Sequence, residues 1–146
     1  MVIHYNTRIR RLLLTMLTII SFASFTSCSQ KIAFQNSTVV PAAQGIVTIK
    51  KDNNKNYAIK IKISNLAEVQ RLQTTKNVYV VWIETEENRI KNIGQIKSNT
   101  GFISSKLKAS FETVTSFQPT KVFITAEENQ DVVYPGYQMV LTTNKF

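Results

Sequence analysis

Tyr57-Ala58-Ile59-Lys60-Ile61-Lys62-Ile63 decides the fold class. Its large apolar residues recur at every second position, Tyr57, Ile59, Ile61 and Ile63, with Lys60 and Lys62 between them. A period of two sends successive side chains to opposite faces of an extended chain, so this is a strand with one buried and one wet face. On its N-terminal side Gly45–Lys50 repeats the pattern. Asp52-Asn53-Asn54-Lys55 lies between the two runs and supplies turn residues that tolerate left-handed backbone. On its C-terminal side Asn77-Val78-Tyr79-Val80-Val81-Trp82-Ile83-Glu84 is apolar on both faces, as a central strand would be.

Further strands are expected over 89–96, 102–109, 121–127 and 138–143. Turn signals separate them at Glu86-Glu87-Asn88, Asn99-Thr100-Gly101 and Tyr134-Pro135-Gly136-Tyr137. In the last of these, Pro135 and Gly136 hold the middle positions that a type II turn requires. Leu66–Leu72 has only weak helical spacing and is expected to be a loop with one helical turn. About seven antiparallel strands with turn signals roughly every 8 to 12 residues predict an all-β, two-sheet, immunoglobulin-like β-sandwich.

The start of the chain follows different rules. Arg8, Arg10 and Arg11 precede the 14-residue, largely apolar run Leu12–Phe25, which ends in Thr26-Ser27-Cys28. That run is shorter than the ~20 residues needed to span a bilayer and matches the core of a secretory signal. The arginines would hold the first residues in the cytoplasm while the remainder crosses. Phe25-Thr26-Ser27-Cys28 resembles the bacterial lipoprotein box, with Phe25 where Leu is commoner. The resemblance implies cleavage before Cys28 and acylation of that cysteine, and several acyl chains give stable anchoring. It divides the chain into a signal peptide (1–27), a lipidated tether (28–43) that is polar and carries Pro41, and a folded domain (44–146). Ser29, next to the lipidated position, looks like an outer-membrane address, so the expected location is the envelope, facing the periplasm.

Composition bounds the remaining function classes. A hydrophobic content of 43% suffices for a globular core. The formal charge is +9, and beyond Cys28 there remain 15 basic and 9 acidic residues. The lysines, among them Lys50, Lys51, Lys60, Lys62, Lys106 and Lys108, are scattered through strands rather than grouped in a tract. They are expected to form a solvated sheet face, although such a surface can also attract anionic lipid or polysaccharide. Nucleic acid is not an expected partner of an exported domain.

Catalytic chemistry finds few residues to work with. The only histidine, His4, lies in the signal, and the only cysteine, Cys28, would be taken by lipid. Ser/His or Cys/His nucleophilic pairs and zinc sites are therefore not expected, and neither is a cofactor or an enzyme activity. Glu84, Glu86 and Glu87 stand at one strand end, and Glu127, Glu128 and Asp131 at another. If those ends converged they would form a calcium site or a carboxylate pair. Without cation-loop spacing, two polar turns are the simpler expectation. Trp82, among valines, is expected to anchor the sandwich core. Tyr134 and Tyr137, flanking Pro135-Gly136, are the candidates for exposed aromatics on a binding loop.

Val78-Tyr79-Val80-Val81-Trp82-Ile83-Glu84 followed by Ile93-Gly94-Gln95-Ile96 resembles the Tyr-x-x-Trp … Leu-Gly-x-Leu pattern of the extracytoplasmic domain of anti-sigma-K factors. Val122-Phe123-Ile124-Thr125-Ala126-Glu127, with Pro135-Gly136 and Met139-Val140-Leu141, resembles that domain's ending, and the similarity spans residues 57 to 143. The resemblance implies an immunoglobulin-like sandwich acting as a sensing or protease-regulated module outside the cytoplasm. It brings no catalytic residues. Family members place a sigma-binding domain and a membrane helix before this module, and a signal of residues 1–27 leaves no room for them, so sigma-factor binding is not expected. The sequence thus leads to a lipid-anchored, non-enzymatic binding or sensing module of the bacterial cell envelope, which takes a protein or another envelope component that the sequence does not name, with a glycan- or peptidoglycan-binding lipoprotein as the alternative.

Overall fold

The computed structural model of the chain describes residues 6–9, 11, 29–72, 76–96 and 108–146. The apolar run Leu12–Phe25 expected to be a signal core, Cys28 and residues 102–107 of the fifth expected strand lie outside the described residues. Among the described residues no helix is long and apolar enough to cross a membrane.

Eight strands form two four-stranded antiparallel sheets. They are β1 (Ser29–Ala33), β2 (Gln44–Lys51), β3 (Tyr57–Ser64), β4 (Val78–Thr85), β5 (Ile90–Ile96), β6 (Lys108–Thr115), β7 (Pro119–Glu127) and β8 (Met139–Thr142). The first sheet runs β1-β2-β3-β6 and the second β5-β4-β7-β8. The chain changes sheet between β3 and β4, between β5 and β6, and between β6 and β7. Strands distant in sequence thereby become neighbours, β3 with β6 and β4 with β7. This is the expected immunoglobulin-like sandwich, with one strand more than the sequence indicated.

Alternation builds the core between the sheets. Val47 and Ile49 of β2 and Ile59, Ile61 and Ile63 of β3 face Tyr79, Val81 and Ile83 of β4 and Val122, Ile124 and Ala126 of β7. Each large aliphatic side chain buried here stabilises the fold by roughly 1.5–3 kcal/mol. Tyr79 is the polar member of this layer. Its ring is buried and its hydroxyl donates to the carbonyl of Ala67 at 2.9 Å. That bond pins the β3–β4 connection, whose Leu66 and Val69 are also buried and whose single 3-10 turn spans Val69–Arg71. Burial pushes the Tyr79 phenol up to about 12. On the β5–β6 side, Gly94 takes φ 130°, and a Cβ there would lie 2.9 Å from the Phe111 ring. Glycine thus lets the second sheet close against β6.

Two departures from expectation have physical reasons. Residues 29–43 were expected to be a tether, but Ser29–Ala33 is a strand paired with β2 from Ser29↔Lys50 to Ala33↔Ile46. Phe34 then bridges to Thr143, and the backbone N–H of Gln35 donates to Thr142 O at 2.8 Å, which joins the edges of the two sheets. Ser37 donates to the carbonyl of Val140 and accepts from the N–H of Val40, while Val40 and Ala43 enter the core. An edge strand needs few apolar residues, and Ile32 alone supplies the inward contact. The second departure is β6, expected over 102–109 and found at Lys108–Thr115. Its inward positions Ala109, Phe111, Thr113 and Thr115 include two threonines, which dilute the alternating signal.

Among the described residues both buried clusters lie between Ile32 and Phe146, so the Ser29–Phe146 body holds this core. A chain beginning at Ser29 should therefore unfold in one cooperative transition, and one beginning at Gln44 should show a markedly lower denaturation midpoint in urea. The Tyr79 phenol gives a second expectation. Its folded-state pKa exceeds the unfolded value of about 10, so the stability it contributes is present below pH ~10 and is lost as pH rises toward 12. Tyr79→Phe should cost about 1 kcal/mol at neutral pH and flatten this alkaline decline, measured by urea unfolding across pH.

Candidate functional site

The second sheet is apolar on both faces. Val80 and Trp82 of β4 and Phe123 of β7 point away from the sandwich interior and form a second buried cluster, with Val132 packed on it. Trp82 is fully buried, and its ring stacks on Phe123 with centroids 6.3 Å apart and planes 11° from parallel. Trp82 is thus a core residue as expected, but of this outer cluster and not of the inter-sheet layer. What covers the cluster is the β7–β8 loop, residues 128–138.

Three side chains hold the loop down. The indole N–H of Trp82 donates to Thr125 Oγ1 at 2.8 Å, and the Thr125 hydroxyl donates to Glu127 Oε1 at 2.6 Å. The same carboxylate oxygen accepts the backbone N–H of Gly136 at 2.7 Å. Glu127 is 4% exposed, a degree of burial that glutamates reach only when their oxygens are partnered. Gly136 is required by closeness: a Cβ there would stand 2.8 Å from Glu127 Oε2. Among the described glycines only Gly94 has positive φ, so Gly136 does not take the left-handed conformation of the expected type II turn. Its place is fixed by contact with the carboxylate.

The other end of the loop is tied by Asn92. A β-bulge opposite Val81/Trp82 puts Asn92 on the outer face, where its side-chain N–H₂ donates to the carbonyls of Gln130 and Val132 at 2.9 and 3.0 Å. Its Oδ1 accepts the Gly94 N–H at 3.0 Å, which orients the amide. Asn77 and Lys76 add bonds to Glu128. A loop held at Glu128, Gln130, Val132 and Gly136 has little freedom left.

Its remaining side chains face solvent. Val133 is 74% exposed, Tyr134 83% and Tyr137 89%. The loop and β5 enclose an open groove lined by Arg89, Ile90, Gln95, Asp131, Val133 and Tyr134. Of the expected binding-loop residues, Tyr134 and Tyr137 are therefore displayed, while Pro135 and Gly136 are support. Sequence reading passed over Asn92, Val133 and the anchoring role of Glu127. Only the coincidence of Trp82, Thr125, Glu127 and Gly136 within the quoted strand patterns hinted at a shared network.

The carboxylate clusters do not converge. β4 and β7 are neighbours, but antiparallel: Glu84 pairs with Lys121 and Glu127 with Val78. Six residues of strand, roughly 20 Å, separate the two glutamates. Glu84 instead pairs with Lys145, Glu87 with Arg89 and Glu128 with Lys76. Among the described residues no group of three His, Cys, Asp or Glu side chains could hold a metal ion.

Comparison with family models, curated proteins and solved structures gave no match.

Anchors and displayed residues should separate in stability measurements. Glu127→Ala leaves the Thr125 O–H and the Gly136 N–H without their acceptor and should cost about 2–3 kcal/mol, and Asn92→Ala about 1–2 kcal/mol. Tyr134→Ala and Tyr137→Ala, which remove exposed side chains, should stay within about 0.5 kcal/mol of the parent in urea unfolding.

Proposed function

We propose that this chain is an exported lipoprotein, acylated at Cys28, whose β-sandwich is a non-enzymatic recognition module of the bacterial cell envelope. The β7–β8 loop would be its contact surface and an envelope protein its partner. The anchoring half rests on the basic Arg8–Arg11 start, the short apolar run and Phe25-Thr26-Ser27-Cys28. The recognition half rests on one observation: a loop tied down by Asn92 and Glu127 still presents Val133, Tyr134 and Tyr137 to solvent.

Large apolar side chains on a free-moving loop would cost conformational entropy on binding. On a fixed loop that cost has been met during folding, so more of the contact energy appears as affinity. Tyrosine suits such a surface, with a broad ring and a polar tip on few rotatable bonds. The same rings could stack on sugars, which makes glycan or peptidoglycan the second reading. The strand patterns shared with the anti-sigma-K outer domain favour the protein partner, because that module is understood as a sensing one.

In-cell cross-linking of the full chain is expected to capture one defined envelope protein. Tyr134→Ala with Tyr137→Ala should reduce the captured amount at least tenfold without altering the level of the chain. Capture that is indifferent to both substitutions, or pelleting with purified peptidoglycan in place of protein capture, would contradict the protein reading. The anchor is tested separately. Mass spectrometry of the mature chain should find an acylated Cys28 at its amino terminus, and Cys28→Ser should leave the chain unacylated with its leader attached.

A further inference from the structure

The outer face of the first sheet gathers what the sequence scatters. The pairings β1–β2, β2–β3 and β3–β6 run without a register shift, so residues of equal parity share a flat face. One row across the four strands reads Lys31, Thr48, Lys60, Glu112. The next row on one side carries Lys50, the next on the other carries Lys62, and Lys108 stands at the far corner. All five lysines are exposed. Of the nine acidic residues in the chain, Glu112 alone lies on this face, paired with Lys60. Asp52 sits at its rim, where its carboxylate accepts the N–H groups of Asn54 and Asn56. Rows on one strand face are about 7 Å apart, so lysines in adjacent rows and strands stand within about one Debye length of each other and their fields overlap.

Two further observations say what this field meets. Between the lysines stand Ile46 and Val114, 51% and 64% exposed, which set apolar side chains beside the charges. β1 is the edge of this sheet and is paired from Ser29, the residue directly after Cys28, so no slack chain separates the sheet from that position. We propose that this face lies against an anionic bilayer, the lysines on lipid phosphates and Ile46 and Val114 at the headgroup boundary. The orientation rests on the lipoprotein reading above. The field itself does not, since it belongs to the folded body. Lying this way, the sandwich turns its other outer face, with Tyr134 and Tyr137, away from the membrane.

The test uses the Ser29–Phe146 body, which holds the buried clusters but no acyl group. It should co-sediment with phosphatidylglycerol vesicles and not with phosphatidylcholine vesicles, and salt should release it. Each lysine near an anionic surface is worth roughly fivefold in binding, so Lys31→Gln, Lys50→Gln and Lys62→Gln together should weaken it about a hundredfold. Lys91→Gln, Lys121→Gln and Lys145→Gln remove the same charge elsewhere and should change it by less than about tenfold. Equal losses from the two triple variants, no vesicle binding, or a preference for a soluble anionic polysaccharide over vesicles would each overturn the proposal. Vesicle failure with an acylated Cys28 would leave the lipoprotein reading standing, and an unmodified Cys28 with intact vesicle binding would do the reverse.

Discussion

β4 buries both of its faces, and the rest of the structure follows from that constraint. Tyr79, Val81 and Ile83 fill the space between the sheets, while Val80 and Trp82 need cover on the opposite side. A sandwich supplies cover for only one face of each sheet. The second must come from a connection, and the β7–β8 loop provides it by laying Val132 over the Trp82–Phe123 stack. A loop carries backbone groups that must be satisfied when it is pressed on apolar surface. Asn92 and Glu127 satisfy them, with Thr125 linking the carboxylate to the indole of Trp82. The anchoring that holds the loop displaying Tyr134 and Tyr137, the proposed recognition surface, is thus a by-product of covering β4.

The two outer faces are chemically opposed. One is a flat lysine lattice with a single carboxylate, continuous with the strand that begins after Cys28. The other is the loop-covered aromatic face. The proposed placement, with the lysine face on a membrane and the loop face free for a partner, makes use of this asymmetry. No tether is required for this arrangement, since β1 holds the body within one residue of the proposed acylated position.

Much of this was legible in the sequence, for a reason that also sets its limit. Strands with one wet face, such as Tyr57–Ile63, or with two buried ones, such as Val78–Thr85, announce themselves through side-chain period. β1 does not, because an edge strand with one apolar contact leaves almost no pattern, and β6 is blurred by Thr113 and Thr115. The displayed tyrosines were legible from their position beside Pro135-Gly136, since turn residues mark loops. Their supports were not. Asn92 reaches the outer face through a bulge, and whether Glu84 and Glu127 meet depends on strand direction, which composition does not encode. The lysine face is a third case. Its five lysines follow one another along the chain at intervals of 19, 10, 2 and 46 residues and come together only through strand pairing, so a search for basic tracts cannot find them.

Backbone ¹⁵N relaxation of the Ser29–Phe146 body tests the central claim most directly, because it asks whether the cover over β4 is fixed. Amides of residues 130–134 and 136 should show order parameters near ~0.85, like those of the flanking strands. Values below about 0.6 across that stretch would mean that the Asn92 and Glu127 bonds do not hold the loop, and the account of a preorganised aromatic surface would be wrong.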